Sequence, residues 1–290
     1  WYEHRRGMAV GIVASGQTLA GIVWPPVFGY AQDTIGWRDA FFWFGVFALA
    51  VMVPLCLIVR AQPPPPSKFE RAPEAPIAPA ARRGSVGMRS SVSPTMLKIG
   101  LCVAIVCCCV AMSMPIAHVV SYVTDIGHDV GNAVEILSML LLAAFISRAV
   151  LVGVLSERFG GLATLLILSG LQAVMLATFS VTEGLIALYV VASLFGLGFG
   201  GVFPTYAIIV REYLPTSQAG RWTGVVLMFG AGGMGIGSWI AGGMFDVTGT
   251  YLWAFLLGVV FNVVNLLIIL AIKLRMEPPD FGRAMEVGAT

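Results

Sequence analysis

Long apolar stretches recur along the chain and are separated by short polar or charged segments. Each stretch reaches the roughly 20 residues that an α-helix needs to cross a bilayer core of about 30 Å. The alternating pattern that marks the strands of a membrane barrel does not occur in the sequence. We therefore predict eight transmembrane helices, at residues 8–30, 40–59, 96–120, 133–155, 161–181, 185–210, 222–244 and 251–272.

Composition agrees with this pattern and excludes several other classes of protein. Hydrophobic residues make up 58% of the 290 residues, the mean hydropathy is +0.89, and charged residues make up only 11%. Soluble domains carry about 25% charged residues, and a nucleic-acid-binding surface needs many more basic residues. The sequence therefore predicts an all-α integral membrane protein that lies in the lipid bilayer and binds no nucleic acid.

The distribution of basic residues predicts the orientation of the chain. Of the 17 lysines and arginines, 15 fall in one alternating set of loops and tails, with Lys98 at the edge of its helix counted with the adjoining linker, whereas the opposite set holds only Arg38. Cytoplasmic loops of membrane proteins carry the excess of Lys and Arg. We therefore predict a multi-pass protein of the cell (plasma or inner) membrane with both termini in the cytoplasm. The remaining basic residue, Arg148, lies inside a predicted helix.

Residues 60–95 interrupt the series of apolar stretches. They hold eight of the 16 prolines, together with scattered basic residues and almost no apolar periodicity. This composition is typical of a flexible or semi-extended linker, and its basic residues indicate the cytoplasmic side. The chain therefore divides into residues 1–59 with two helices, the linker 60–95, residues 96–275 with six helices, and a cytoplasmic tail at 276–290.

A weak internal repeat relates the two helical parts. A shift of 213 residues superposes the first two predicted helices on the last two. It matches Asp33 to Asp246 and Gly36 to Gly249. Both segments consist of a helix, a short acidic outer loop and a second helix. The first two helices thus correspond to the last two of a six-helix bundle. We expect the counterparts of the other four to precede Trp1, in a twelve-helix protein of which this chain is a truncated form.

Two six-helix bundles joined by a long cytoplasmic linker are the plan of the major facilitator transporters. Residues 5–12, 14–16, 25–26 and 36–38 (RRGMAVGI, ASG, PP and GWR) resemble the fifth and sixth helices of the monocarboxylate-porter and oxalate/formate-antiporter group. Residues 153–160 (GVLSERFG) resemble the superfamily's cytoplasmic loop signature between the eighth and ninth helices.

This resemblance implies the twelve-helix major facilitator fold. Residues 1–59 would then be the last two helices of the N-terminal bundle, with the first four helices missing. The resemblance also implies a gating role for the loop after the eighth helix, with a passive turn as the alternative. The loop residues concerned are Gly153, Glu157, Arg158 and Gly160.

Arg148 is the strongest candidate for a substrate contact. An arginine near a helix centre costs about 2.5–3.5 kcal/mol on insertion scales, and its guanidinium offers a two-pronged donor to a carboxylate. Snorkelling of the side chain toward the inner headgroups is the alternative. The resemblance implies that an arginine in the eighth helix binds substrate carboxylate.

The sequence departs from those relatives at two points. Ala144 occupies the position, one turn before Arg148, where monocarboxylate porters have an acidic partner. The predicted helix 222–244 lacks the lysine of oxalate transporters. These departures argue against proton coupling through that acid and against a dianionic substrate.

Four further polar residues within predicted helices are candidates for the substrate site. For Gln17 and Tyr206, a hydrogen bond that joins helices is the structural alternative. For His118, the alternative is a neutral histidine with satisfied hydrogen bonds near the membrane interface. The histidine is also a candidate for a pH-sensing outer gate, but its depth differs from that of Arg148 by about 15–20 Å. The candidates are His118, Gln17, Tyr122 and Tyr206.

Two glycine pairs have the spacing of four residues that lets helix backbones approach closely. These pairs are Gly196 with Gly200 and Gly233 with Gly237. The run 230–237 contains more glycine than packing alone requires, since each glycine costs about 1 kcal/mol of helix propensity. Local bending of this helix during transport would account for the excess.

These observations together predict a secondary active transporter. It would move a small organic anion, a monocarboxylate, by alternating access as a monomer, with a coupled proton as an option and without cofactor or metal. The chain has no Walker loop. A membrane-embedded enzyme would need a catalytic constellation, whereas the polar residues here are dispersed. A transport-inactive sensor, a nonfunctional fragment and a carrier of a neutral or drug-like solute are the alternatives.

Overall fold

The computed structural model describes residues 16, 19–21, 23–24, 27–28, 30–31, 34–58 and 93–276. These residues form helices and short connections and contain no strand, which confirms the predicted all-α class. The helices after residue 36 are α1 (Trp37–Ile58), α2 (Pro94–Asp125), α3 (Val130–Ile146), a π turn (Ser147–Leu151), α4 (Val152–Phe159), α5 (Gly161–Phe179), α6 (Leu185–Gly200), α7 (Val202–Tyr213), α8 (Thr216–Thr248) and α9 (Leu252–Arg275).

Seven helical segments of the described residues are long and apolar enough to cross a membrane. They coincide with seven of the eight predicted transmembrane helices. The predicted helix 8–30, the linker and the tail fall largely outside the described residues. The seven segments are Trp37–Leu57, Pro94–Asp125, Val130–Phe159, Gly161–Phe179, Leu185–Tyr213, Ser217–Thr248 and Leu252–Arg275.

Local chemistry determines where two of the helices begin. Ser93 caps α2 by accepting the Met96 N–H on Oγ at 3.2 Å, and Pro94 follows at a position that needs no amide hydrogen. Asp129 caps α3 by accepting the Gly131 N–H at 2.8 Å. Both helices begin two or three residues before the predicted apolar stretches, because polar capping residues lie outside those stretches.

Helix α2 is the centre of the bundle that α2 to α9 form. It packs most extensively against α8 and α9, and 72% of its most apolar segment is buried. The corresponding segment of α1 is only 6% buried within the described residues. The bundle of α2 to α9 therefore has a core of its own, and most of the surface of α1 is exposed.

The predicted close approach of helices at both glycine pairs is confirmed. Cβ atoms added to Gly196 and Gly200 would lie less than 3.0 Å from the backbone of α3. Cβ atoms added to Gly233 and Gly237 would lie less than 3.0 Å from the backbone of α2. Helix α8 is unbroken along the glycine run, so bending at this run stays a prediction.

The two glycines that the internal repeat pairs have the same unusual backbone conformation. Gly36 has a φ of +83° and Gly249 has a φ of +67°, a region that glycine enters without strain. Gly36 directly precedes α1, and Gly249 ends α8 shortly before α9 begins. The corresponding loops of the repeat therefore share a left-handed turn residue.

Candidate functional site

Arg148 lies in the π turn Ser147–Leu151, within the apolar span Val130–Phe159. Single π turns inside helices occur frequently at functional sites. The Arg148 side chain is only 5% exposed, and its Nε donates a hydrogen bond to Gly200 O at 2.7 Å. The buried cation therefore lies at the carboxyl end of α6, where helix carbonyls carry negative partial charge.

The stretch from Leu197 to Pro204, termed the α6–α7 junction, accepts hydrogen bonds from two neighbouring side chains. Pro204 has no amide hydrogen and cannot donate to Gly200 O, four residues earlier. Arg148 donates to that oxygen, and Ser147 donates from Oγ to Leu197 O at 2.6 Å. The π turn therefore contacts two carbonyls of α6 three residues apart, on one face of the helix.

Ala144, one turn before Arg148, lies where two helices are in close contact. Ala144 is fully buried, and a Cβ added to Gly200 would overlap its backbone. The backbones of α3 and α6 are therefore in direct contact at this point. The position where monocarboxylate porters have an acidic residue is therefore a buried alanine at a close contact between two helices.

His118 joins three helices at the carboxyl-terminal part of α2. Its Nε2 lies 3.0 Å from Ser238 O in α8, and its Nδ1 lies 3.3 Å from the Tyr251 hydroxyl at the start of α9. The Ser238 carbonyl only accepts, so Nε2 carries a hydrogen and donates to it. The neutral tautomer then satisfies both contacts, with Tyr251 donating to Nδ1.

Tyr122 contacts the end of α5. Its hydroxyl lies 2.8 Å from both Phe179 O and Thr182 O, so its single hydrogen is shared between these two carbonyls. The ring packs edge-on against Phe255 of α9, with 5.3 Å between ring centroids. Tyr122 therefore supplies a donor to carbonyls at the end of α5, where the last carbonyls of a helix have no N–H partner within the helix.

Tyr206 belongs to a set of fully buried polar groups deep in the bundle. Its hydroxyl donates to Asn265 Oδ1 at 2.8 Å, and Asn265 Nδ2 donates to Asn262 Oδ1 at 3.2 Å. Asn262 Nδ2 in turn donates to Ser169 O at 3.0 Å. These four residues, termed the buried polar network, connect α7, α9 and α5.

The asparagines of the buried polar network were missed by reasoning from the sequence. The available signal was the spacing of Asn262 and Asn265, which lie three residues apart and therefore on one face of an otherwise apolar helix. Gln172 of α5 was missed in the same way. It is fully buried and donates to a backbone carbonyl of α2 at 3.3 Å.

The loop motif forms the turn between α4 and α5. Gly160 has a φ of +79°, and its carbonyl accepts the Thr164 N–H, which starts α5. Glu212 of α7, which the sequence did not single out, accepts the Gly161 N–H at 3.1 and 3.2 Å and so caps α5. The other motif residues are half-buried or exposed: Gly153, Glu157 and Arg158.

The candidate substrate residues contact different helices in the described part of the chain. Arg148 contacts α6, His118 contacts α8 and the start of α9, and Tyr206 contacts α9. Gln17 lies outside the described residues. Arg148 is a buried charged residue and the centre of the candidate site.

Comparison with known proteins gives consistent matches. The sequence profile of the Major Facilitator Superfamily matches residues 1–237 and 101–286. The MFS-type transporter pynF of Aspergillus niger is 25% identical over an alignment of 248 residues that covers 84% of this chain and 53% of that protein. Monocarboxylate transporter 13 of Bos taurus is 26% identical over an alignment of 263 residues that covers 88% of this chain and 57% of that protein.

The chain thus spans somewhat more than half the length of these relatives. Its fold resembles the crystal structure of the MFS transporter FucP in the outward conformation. The TM-score is 0.63 at 14% identity, with 94% of this chain and 69% of that chain covered. This likeness shows the fold, and the profile match over nearly the whole sequence shows the family: the chain belongs to the Major Facilitator Superfamily.

Proposed function

We propose that the full-length protein is a secondary active transporter that carries a small organic anion, a monocarboxylate, across the membrane by alternating access. The observation that carries this proposal is Arg148, a cation buried within an apolar span. Ionisable residues at such positions mark substrate or ion pathways in membrane proteins. Transporter sites typically lie beside discontinuous helices, and Arg148 lies beside the α6–α7 junction.

The chemistry of the guanidinium favours a carboxylate ligand. A guanidinium carries five N–H donors in a planar fork, and a carboxylate can accept two of them side by side. The relative named monocarboxylate transporter 13 supports the same ligand class. The region 222–244 contains no lysine that could bind a second carboxylate, which favours a monoanion over a dianion.

Arg148→Gln is the variant that tests this proposal most directly. Glutamine retains an N–H donor for Gly200 O but removes the charge, so the fold should persist while anion binding weakens. Hydrogen bonds to charged groups contribute about 1.5–3 kcal/mol, so we expect at least about a tenfold loss of affinity. Arg148→Lys retains the charge without the planar fork and should also bind weakly.

The measurements are equilibrium binding and proteoliposome uptake of acetate, lactate and benzoate by the full-length protein, with and without a pH gradient. The corresponding amides serve as uncharged analogues of the same shape. Arg275→Gln is the matched control, because it removes an exposed arginine from the last turn of α9, outside the loop motif. Wild-type affinity in Arg148→Gln would refute the proposal, and equal binding of the amides would favour a carrier of neutral solutes.

We further propose that the loop after α2 faces the outside and the loop after α4 faces the cytoplasm, in line with the distribution of basic residues. In a Cys56→Ser background, Asp125→Cys should react with an impermeant maleimide on intact cells, and Glu157→Cys should react only after permeabilisation. Both positions are exposed, whereas the cysteines of α2 are buried. The reverse labelling pattern would invert the proposed orientation.

A further inference from the structure

Arg148 and Pro204 meet at one backbone carbonyl. In a regular α-helix, Gly200 O would accept the N–H of residue 204, but proline has no such hydrogen. The Arg148 Nε donates to this oxygen at 2.7 Å instead. A side chain from a neighbouring span therefore supplies the hydrogen bond that the helix cannot make at the α6–α7 junction.

The surrounding packing holds this contact in place. Ser147 donates to Leu197 O at 2.6 Å, one helical turn before the Arg148 contact. The backbones of Ala144 and Gly200 are in direct contact, so α3 and α6 cannot approach further. The π turn thus fixes the present geometry of the α6–α7 junction through two side-chain hydrogen bonds.

We infer that Arg148 exchanges hydrogen-bond partners when an anion binds, moving from Gly200 O to the carboxylate and so releasing the α6–α7 junction to bend at Pro204. This inference rests on the proposed function. The Gly200 carbonyl is a neutral acceptor, whereas a carboxylate carries a full negative charge and accepts two parallel N–H bonds from the guanidinium. This difference between the two acceptors drives the exchange toward the anion. Pro204 cannot replace the lost donor, so the junction is destabilised as the anion binds.

The exchange couples binding to a conformational change. A ligand shifts a conformational equilibrium only by its differential affinity for the two states. Here the difference arises at one atom, because Gly200 O has its Arg148 partner before anion binding and loses it afterwards. Part of the binding free energy is thereby used to loosen α6 against α7, so this conformational change depends on the bound anion.

Pro204→Ala tests the exchange. Alanine restores an N–H that can donate to Gly200 O, so releasing Arg148 no longer leaves this carbonyl without a donor. The affinity for benzoate should therefore rise, by about tenfold. Uptake should become slower at the same time, because a restored helix resists bending at the junction. Binding to the purified full-length protein and uptake into proteoliposomes measure the two effects separately.

Pro115→Ala is the matched control, since it removes a proline from the interior of α2, and its benzoate affinity should equal that of the wild type. Wild-type affinity in Pro204→Ala, with weakened binding in Arg148→Gln, would overturn the exchange and leave the proposed function standing. Wild-type affinity in Arg148→Gln would overturn both.

A spectroscopic measurement on the unmodified sequence covers the case in which Pro204→Ala does not fold. In protein labelled with ¹³C-carbonyl glycine and ¹⁵N-arginine, saturating benzoate should remove the ¹³C–¹⁵N proximity signal between Gly200 and Arg148 Nε. An unchanged signal with benzoate bound would overturn the exchange. Loss of the signal, together with tight binding, would support it.

Discussion

Replacing Gly237 by alanine should lower the free energy of unfolding by about 3 kcal/mol. A Cβ at this position would lie less than 3.0 Å from Val110 O and from Ser113 Oγ, both in α2. The carbonyl is backbone and cannot rotate away, so relief requires α8 to move off α2, the helix that it packs against most extensively. Overpacking of this kind typically costs about 1–3 kcal/mol, and a clash with backbone belongs at the upper end.

Gly235→Ala is the matched control on the same helix. Gly235 is exposed, and apart from the local backbone of its own helix no described atom lies within 4 Å of the position that its Cβ would occupy. Alanine gains about 1 kcal/mol of helix propensity over glycine, so this variant should be neutral or more stable. Denaturant titration in mixed micelles measures both variants. Equal unfolding free energies would show that α8 does not pack on α2 through Gly237.

The spans were predictable because their length and apolarity are local properties of the sequence. Glycine spacing also predicted that Gly200 and Gly237 would lie at close helix contacts. The partner helices were not predictable in this way. Nothing in the spacing indicates that Gly237 faces α2 and Gly200 faces α3. Such pairings depend on the three-dimensional arrangement of distant segments.

The candidate site was predictable only in part, for a related reason. The desolvation cost of a charge singled out Arg148. Its partner is the Gly200 carbonyl, and every residue carries a carbonyl, so the sequence alone does not distinguish this one. Pro204 was the available clue, because a proline within a span leaves the carbonyl four residues earlier without its helical donor. His118 and Tyr122 also contact backbone carbonyls of other helices, which sequence patterns do not reveal.

The buried polar network shows that a polar residue within a span need not be a substrate contact. Tyr206 is a polar residue that follows a proline within a span, and the sequence predicts a substrate contact for it. Its hydroxyl donates to Asn265 Oδ1 in a region where both side chains are fully buried. Polarity within a span therefore identifies residues that need a partner, but the partner can equally be another helix or a substrate. Mutational coupling can decide between the two.

Asn265→Leu should lower the free energy of unfolding by about 3 kcal/mol, because it leaves two buried groups without partners. The Tyr206 hydroxyl loses its acceptor and Asn262 Oδ1 loses its donor. Tyr206→Phe removes only one hydrogen bond and should cost about 1 kcal/mol. Benzoate binding per folded molecule should stay at the wild-type value in both variants, because Arg148 lies outside the network.

The double variant separates a helix-joining role from a substrate contact. In the Asn265→Leu background the Tyr206 hydroxyl already lacks its acceptor, so adding Tyr206→Phe should cost nothing further or restore some stability. Tyr213→Phe, which removes a half-buried tyrosine hydroxyl from the same helix outside the network, should instead add its own effect independently. Additive losses for Tyr206 and Asn265 would show that the two side chains do not interact. A loss of benzoate affinity in Tyr206→Phe at unchanged stability would show that this tyrosine contacts the substrate.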